Sequence, residues 1–186
     1  MKGIMFRPWK IQWIMEHPEI EFQTRRVIKP QPPEGYEYSI KIGAWTKLIP
    51  DTRISTVRTY KPRYQVGETL YIKESWQPVT HFIGKDIALI LFRDGNEERV
   101  ICTKEQWDKA YYYSKIGAYA WHSPMMMPSW AARTFVTVLD VKAEKLSLPL
   151  PPETLEAEGG ERALGILNKI DVLWVFAYTL KVRRGK

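Results

Sequence analysis

The chain has one cysteine, Cys102, in 186 residues, so an internal disulfide is impossible and a zinc site built on cysteines is excluded. Its three histidines, His17, His81 and His122, are scattered at no ligand spacing, and no metal is expected. Glycine never falls into a Rossmann or P-loop fingerprint, so neither nucleotide fold is expected, and no cofactor is assigned. No apolar run approaches the roughly 20 residues of a membrane-spanning helix. The segment Met1–Pro8 is too short and too soon interrupted to read as a signal peptide. With no basic amphipathic helix standing out either, a membrane partner is not expected, and the predicted location is the cytoplasm.

Acid is also in short supply. There are 21 Asp and Glu against 28 Lys and Arg, a formal charge of +7, and that balance favours a polyanionic partner, nucleic acid before membrane. Aromatic residues, by contrast, are plentiful, with eight Trp and ten Tyr, enough to fill a core and leave rings over. The length suits one domain, residues 1–186, burying about 70% of its unfolded surface.

The most telling stretch is Gln23-Thr24-Arg25-Arg26-Val27-Ile28, entered through Phe22. Phe22, Thr24, Arg26 and Ile28 alternate onto one face of a strand, with Gln23, Arg25 and Val27 on the other. An arginine in line with Phe and Ile needs an anionic partner, because an unpaired buried charge costs several kcal/mol. Arg26 therefore either closes an internal ion pair or faces an anionic ligand. The same argument applies to Glu74, which alternates with Leu70, Ile72 and Trp76 across Thr69–Trp76. Arg26 and Arg133 are its candidate partners, and a desolvated carboxylate fit for proton transfer is the alternative.

The rest of the chain reads as short elements. A strand over Gly3–Arg7 stops at Pro8, which suits the first turn of a helix running to Glu16. Tyr36–Ile42 and Trp45–Ile49 pair as a hairpin through Gly43. Pro50–Gln65 reads as a long basic surface loop, with Tyr60 and Tyr64 among its cations as a possible groove wall. Asp86–Phe92 and Arg99–Cys102 form a hairpin across Asp94-Gly95-Asn96. Lys104–Ala110 is a helical turn, Arg133–Lys142 and Val175–Val182 are strands, and short helices are expected over Glu153–Glu158 and Glu161–Ile170. Five to seven short strands with interposed helices suit an α+β fold, a small, partly open β-barrel carrying helices outside.

Several blocks in order then resemble a known family: Gly3-Ile4-Met5-Phe6-Arg7-Pro8-Trp9, Gln23–Pro30, Val66–Trp76, Met127–Arg133 and Glu156–Gly159. Together these resemble the ASCH-domain proteins of the PUA-like superfamily, in the form found in phages and prophages. The resemblance implies a PUA-like pseudo-barrel with flanking helices and a cleft for nucleic acid or a nucleoside, and, if phage-encoded, a place in the bacterial host cytoplasm. It implies RNA or DNA binding, or hydrolysis as a modified-cytidine amidohydrolase or single-strand ribonuclease. The deacetylating members use a Thr, a Lys and a Glu; the Thr falls on Thr24 and the Glu on Glu158, while the Lys position holds Glu21 and the motif glycine Glu19.

Three functions follow. The first is a module binding single-stranded nucleic acid or a nucleotide, with Arg7, Lys10, Arg25, Arg26, Lys73 and Arg133 meeting phosphates or base edges and Trp76 or Trp130 stacking. The second is a hydrolase of the same cleft, with Thr24, Lys73, Glu74 and Glu158 as the acid–base set. The third is a phage accessory protein whose exposed aromatics meet a protein partner of unknown identity.

Overall fold

A computed structural model describes residues 1–29, 31–32, 34–39, 44–49, 53–56, 61–79, 87–116, 120–147 and 172–183. In chain order these form β1 (Lys2–Met5), α1 (Pro8–Glu16), β2 (Phe22–Val27), β3 (Glu37–Ser39), β4 (Ala44–Ile49) and β5 (Arg53–Thr56). There follow β6 (Thr69–Lys73), β7 (Trp76–Val79), β8 (Ile87–Phe92), β9 (Glu97–Ile101), α2 (Lys104–Lys115), β10 (Phe135–Ser147) and β11 (Val172–Val182). Two single 3₁₀ turns, Pro124–Met126 and Ser129–Ala131, precede β10. The class is α+β and mostly sheet. No described helix is long and apolar enough to cross a membrane.

The chain divides into two compact units, each gathered from separated segments. The first takes Met1–Ile20, Thr69–Val136 and Val182–Lys186; the second takes Glu21–Glu68 and Thr137–Lys181.

In the first unit β1 lies parallel to β6, in register from Lys2 opposite Leu70 to Met5 opposite Lys73. Their inward residues Ile4, Leu70 and Ile72 are fully buried, joined in the core by Ile11 and Ile14 of α1. Pro8 opens α1 because its fixed φ matches the helix and its missing N–H would have no partner there. His17 closes it: the backbone N–H donates to Trp13 O at 3.1 Å and the ring Nδ1 sits 2.9 Å from the same oxygen. Pro18 follows and cannot continue the helix.

A second layer of this unit is the antiparallel sheet β7–β8–β9, its strands turning at Asp94-Gly95-Asn96, where Gly95 takes φ +86°. Trp76, Ala88, Ile90, Phe92, Val100 and Cys102 fill its covered face, against Ala110 of α2 and Met127, Ala131 and Ala132 of the 3₁₀ segment. α2 is longer than the helical turn expected over Lys104–Ala110. Thr103 and Gln106 cap its start reciprocally, Glu105 and Lys115 complement its dipole, and the three consecutive tyrosines 111–113 are helical.

Thr69–Trp76 is not the single strand that its alternation predicts. β6 ends at Lys73, and β7 pairs instead with β8 in another sheet. The break sits at Glu74, whose backbone N–H points at Met127 Sδ, 3.1 Å away, and whose carboxylate is taken by an arginine described below. A residue committed to those partners leaves the ladder.

In the second unit β2 pairs antiparallel with β11, placing Thr24 opposite Tyr178 and Arg26 opposite Phe176. The alternation read in β2 holds at Phe22, Thr24 and Ile28, which are buried, and at Gln23 and Val27, which are exposed, but Arg25 and Arg26 are both half-buried. β3 and β4 form the expected hairpin, though its turn lies outside the described residues. The stretch Pro50–Gln65 is not all loop, since β5 pairs with β4 from Thr46 opposite Thr56 to Ile49 opposite Arg53. Tyr64 is not a groove wall either: it is 3% exposed and packs edge-on against Tyr178 at 5.4 Å. Tyr60 and the helices expected over 153–158 and 161–170 lie outside the described residues.

Candidate functional site

Parallel strands β1 and β6 end at the same edge, with Met5 opposite Lys73. From there the chain enters α1 on one side and Glu74-Ser75 on the other. Between these segments lies a cleft of about 410 Å³. Phe6, Pro8, Trp9, Ile11 and Gln12 form its α1 side, Lys73, Glu74 and Ser75 its β6 side, and Arg93, Asp94, Pro124 and Arg133 complete it.

The floor is an ion-pair cluster. Arg133 Nε donates to Glu74 Oε1 at 3.1 Å and Arg133 Nη2 to Glu74 Oε2 at 2.6 Å, a bidentate fork. The same Nη2 donates to Asp94 Oδ2 at 2.6 Å. The Arg133 and Glu74 side chains are 5% and 7% exposed, and the guanidinium also lies 4.1 Å from the Phe92 ring centroid. Burial pulls the Arg133 pKa down, but its hydrogen bonds to Glu74 and Asp94 outweigh this and hold it above the usual arginine value. For Asp94 burial acts upward, and the hydrogen bonds from Arg133 and Asn96 prevail, leaving its carboxyl below the usual range. Glu74 is therefore the partner of Arg133. With both its oxygens engaged, it is poorly placed to take a proton from a substrate.

Two further cations stand higher in the cleft. Lys73 Nζ donates to Met125 O at 2.9 Å and lies 5.7 Å from the Tyr71 ring centroid. The absent side chain of Gly3 makes room for it: a Cβ there would collide with the Lys73 chain and stand 2.7 Å from Tyr71 Cζ. Arg93 is exposed, and its guanidinium carbon lies 5.7 Å from the Trp121 ring centroid. Trp9, on the α1 side, is 47% exposed, an unusual position for so large an apolar ring.

Of the residues singled out from sequence, Lys73, Glu74 and Arg133 meet in this cleft. Arg7 is the exposed cap residue of α1, and Lys10 lies over Trp9 and Trp13, 5.8 and 4.6 Å from their centroids. Arg133 was expected either at phosphates or as the partner of Glu74; its guanidinium takes the second role and holds Asp94 as well. Trp76 was expected to stack on a base, but it is 0% exposed and belongs to the core. Trp130 is partly buried and meets Trp76 edge-on at 6.1 Å.

Thr24, Arg25 and Arg26 belong to β2 of the second unit. Thr24 is 8% exposed. Arg25 Nε donates to Glu144 Oε2 at 3.1 Å, and Arg26 is half-buried. Glu21, at the family's lysine position, lies 3.5 Å from Lys181 Nζ. Glu158 lies outside the described residues, so of the expected acid–base set only Lys73 and Glu74 are seen together. Sequence reasoning missed Trp9, Arg93 and Asp94. Asp94 read as a turn former, and nothing local to it or to Trp9 reveals that they line one cleft with Lys73. No family model, curated protein or solved structure matches the chain.

Proposed function

We propose that the chain is a nucleic-acid or nucleotide-binding module of the ASCH, PUA-like type, with a partly open barrel, and that the cleft of the first unit takes a nucleotide of single-stranded RNA or DNA. The observation that carries this reading is the convergence of Lys73, Arg93 and the half-exposed Trp9 on one cleft whose two carboxylates are held by Arg133. Because Arg133 holds both Glu74 and Asp94, one of their two charges is cancelled, which lessens the repulsion a phosphate would meet. Lys73 and Arg93 then supply the attraction, and Trp9 the π-face on which any base can stack. The chain's charge of +7 supports the same partner class by steering polyanions toward it.

The test is a titration of a labelled single-stranded oligonucleotide over a series of salt concentrations. Affinity should fall with salt, and Lys73→Met and Arg93→Gln should each take about 0.7 off the log–log slope, the share of one phosphate on a single strand. A slope near zero for the unaltered chain would remove the electrostatic basis of the proposal.

A further inference from the structure

Trp9 is one of two tryptophans of the first unit that stay exposed; Trp121, at 40%, is the other. Trp76, Trp107 and Trp130, the unit's remaining tryptophans beyond α1, pack into its core cluster. The exposed two share an arrangement. Trp9 lines the cleft and carries Lys10 Nζ 5.8 Å from its ring centroid. Trp121 carries Arg93 at 5.7 Å, and Arg93 itself lines the cleft. Each exposed indole thus has a cation beside it, and both are tied to one cleft, Trp9 directly and Trp121 through Arg93.

Arg93 lies beside Trp121, with its guanidinium carbon 5.7 Å from the ring centroid, so its N–H groups can meet a phosphate next to the indole. A base on Trp9, a phosphate at Arg93 and a second base at Trp121 is the order of groups along a nucleic-acid strand. Resting on the binding function proposed above, we infer that the cleft is built for an oligonucleotide of at least two residues rather than for a free nucleoside or nucleotide, with Trp9 and Trp121 as its two stacking platforms. A mononucleotide would use only one platform and one phosphate contact. A dinucleotide gains the second base as well, and base–aromatic stacking is sequence-tolerant because every base has a π-face.

The experiment compares uridine monophosphate, the dinucleotide and the tetranucleotide, as RNA and as DNA, with an abasic strand carrying the same number of phosphates. Binding to the full chain is read by tryptophan fluorescence at fixed salt. The dinucleotide should bind at least about tenfold tighter than the mononucleotide, and the abasic strand should lose that gain. Trp121→Leu should abolish the dinucleotide's gain over the mononucleotide, and Trp121→Tyr should restore most of it. If the abasic strand keeps the gain, or Trp121→Leu does, the second platform is wrong and the cleft reading survives. If no nucleotide of any length binds, the cleft reading falls and this inference with it.

Discussion

Two arginine–carboxylate pairs, one in each compact unit, show how far the same two residue types can differ in consequence. In the first unit Arg133 grips Glu74 through both nitrogens of its fork and reaches Asp94 as well, with its side chain 5% exposed. In the second, Arg25 Nε meets Glu144 Oε2 at 3.1 Å, with the side chains 20% and 32% exposed. Water screens the second pair and is almost absent from the first. A desolvated charge that loses its partner is stranded, whereas a half-wet one is solvated again at little cost. So the Arg133 cluster belongs to the architecture of the cleft, while the Arg25 pair is one that an anionic ligand could displace.

The sharpest way to break this contrast is Arg133→Ala. It leaves the buried Glu74 carboxylate without its fork and should cost about 3–5 kcal/mol, lowering the melting temperature by roughly 10 °C. A shift of only a degree or two would mean that the cluster is not the anchor described.

A smaller effect separates the units by pH. The Asp94 carboxyl is held below its ordinary value, so its contribution is present above that value and is lost as pH falls through the folded one, in the acid range below about 4. Acid melting curves of Asp94→Asn should be flatter there than those of the unaltered chain. In the second unit burial pushes the Tyr178 phenol up, against the hydrogen bonds from the backbone of Arg63 and Tyr64. Its contribution is present below the ordinary tyrosine value of about 10 and is lost as pH rises through the folded one, so Tyr178→Phe should delay alkaline melting. If both variants shift the same limb, the assignment of acid sensitivity to one unit and alkaline sensitivity to the other is wrong.

The smallest effect belongs to Arg25→Ala, which should change stability by about 0–1 kcal/mol, a few degrees at most. A drop as large as that of Arg133→Ala would erase the distinction between the pairs.

Much of the fold was legible beforehand, and particular residues show why. The strand at Phe22–Val27, the start of α1 at Pro8 and the hairpin at Asp94-Gly95-Asn96 were all anticipated, as was a guanidinium needing an anion. Arg133 was named as one of two candidate partners of Glu74, and packing chose it over Arg26: the buried bidentate pair formed at Arg133, 59 residues along the chain from Glu74. Trp76 was read as a stacking platform and lies in the core, because composition marks an aromatic as either core or platform and only packing decides.

By itself, then, the sequence settled what depends on neighbours a few residues apart: the proline that opens α1, the Thr103–Gln106 cap of α2, the period-two alternation of β2 and the glycine turn at Gly95. Those features need no more than local dihedral limits and short-range hydrogen bonds. Tertiary structure alone decided that β6 stops at Lys73 so that Glu74 can meet Arg133, that Asp94 joins them from 39 residues away, and that Trp9 faces Lys73 and Arg93 across an open cleft. Such pairings have no period and no motif. They are chosen by which distant charges and rings the packed core brings within a few ångströms of one another.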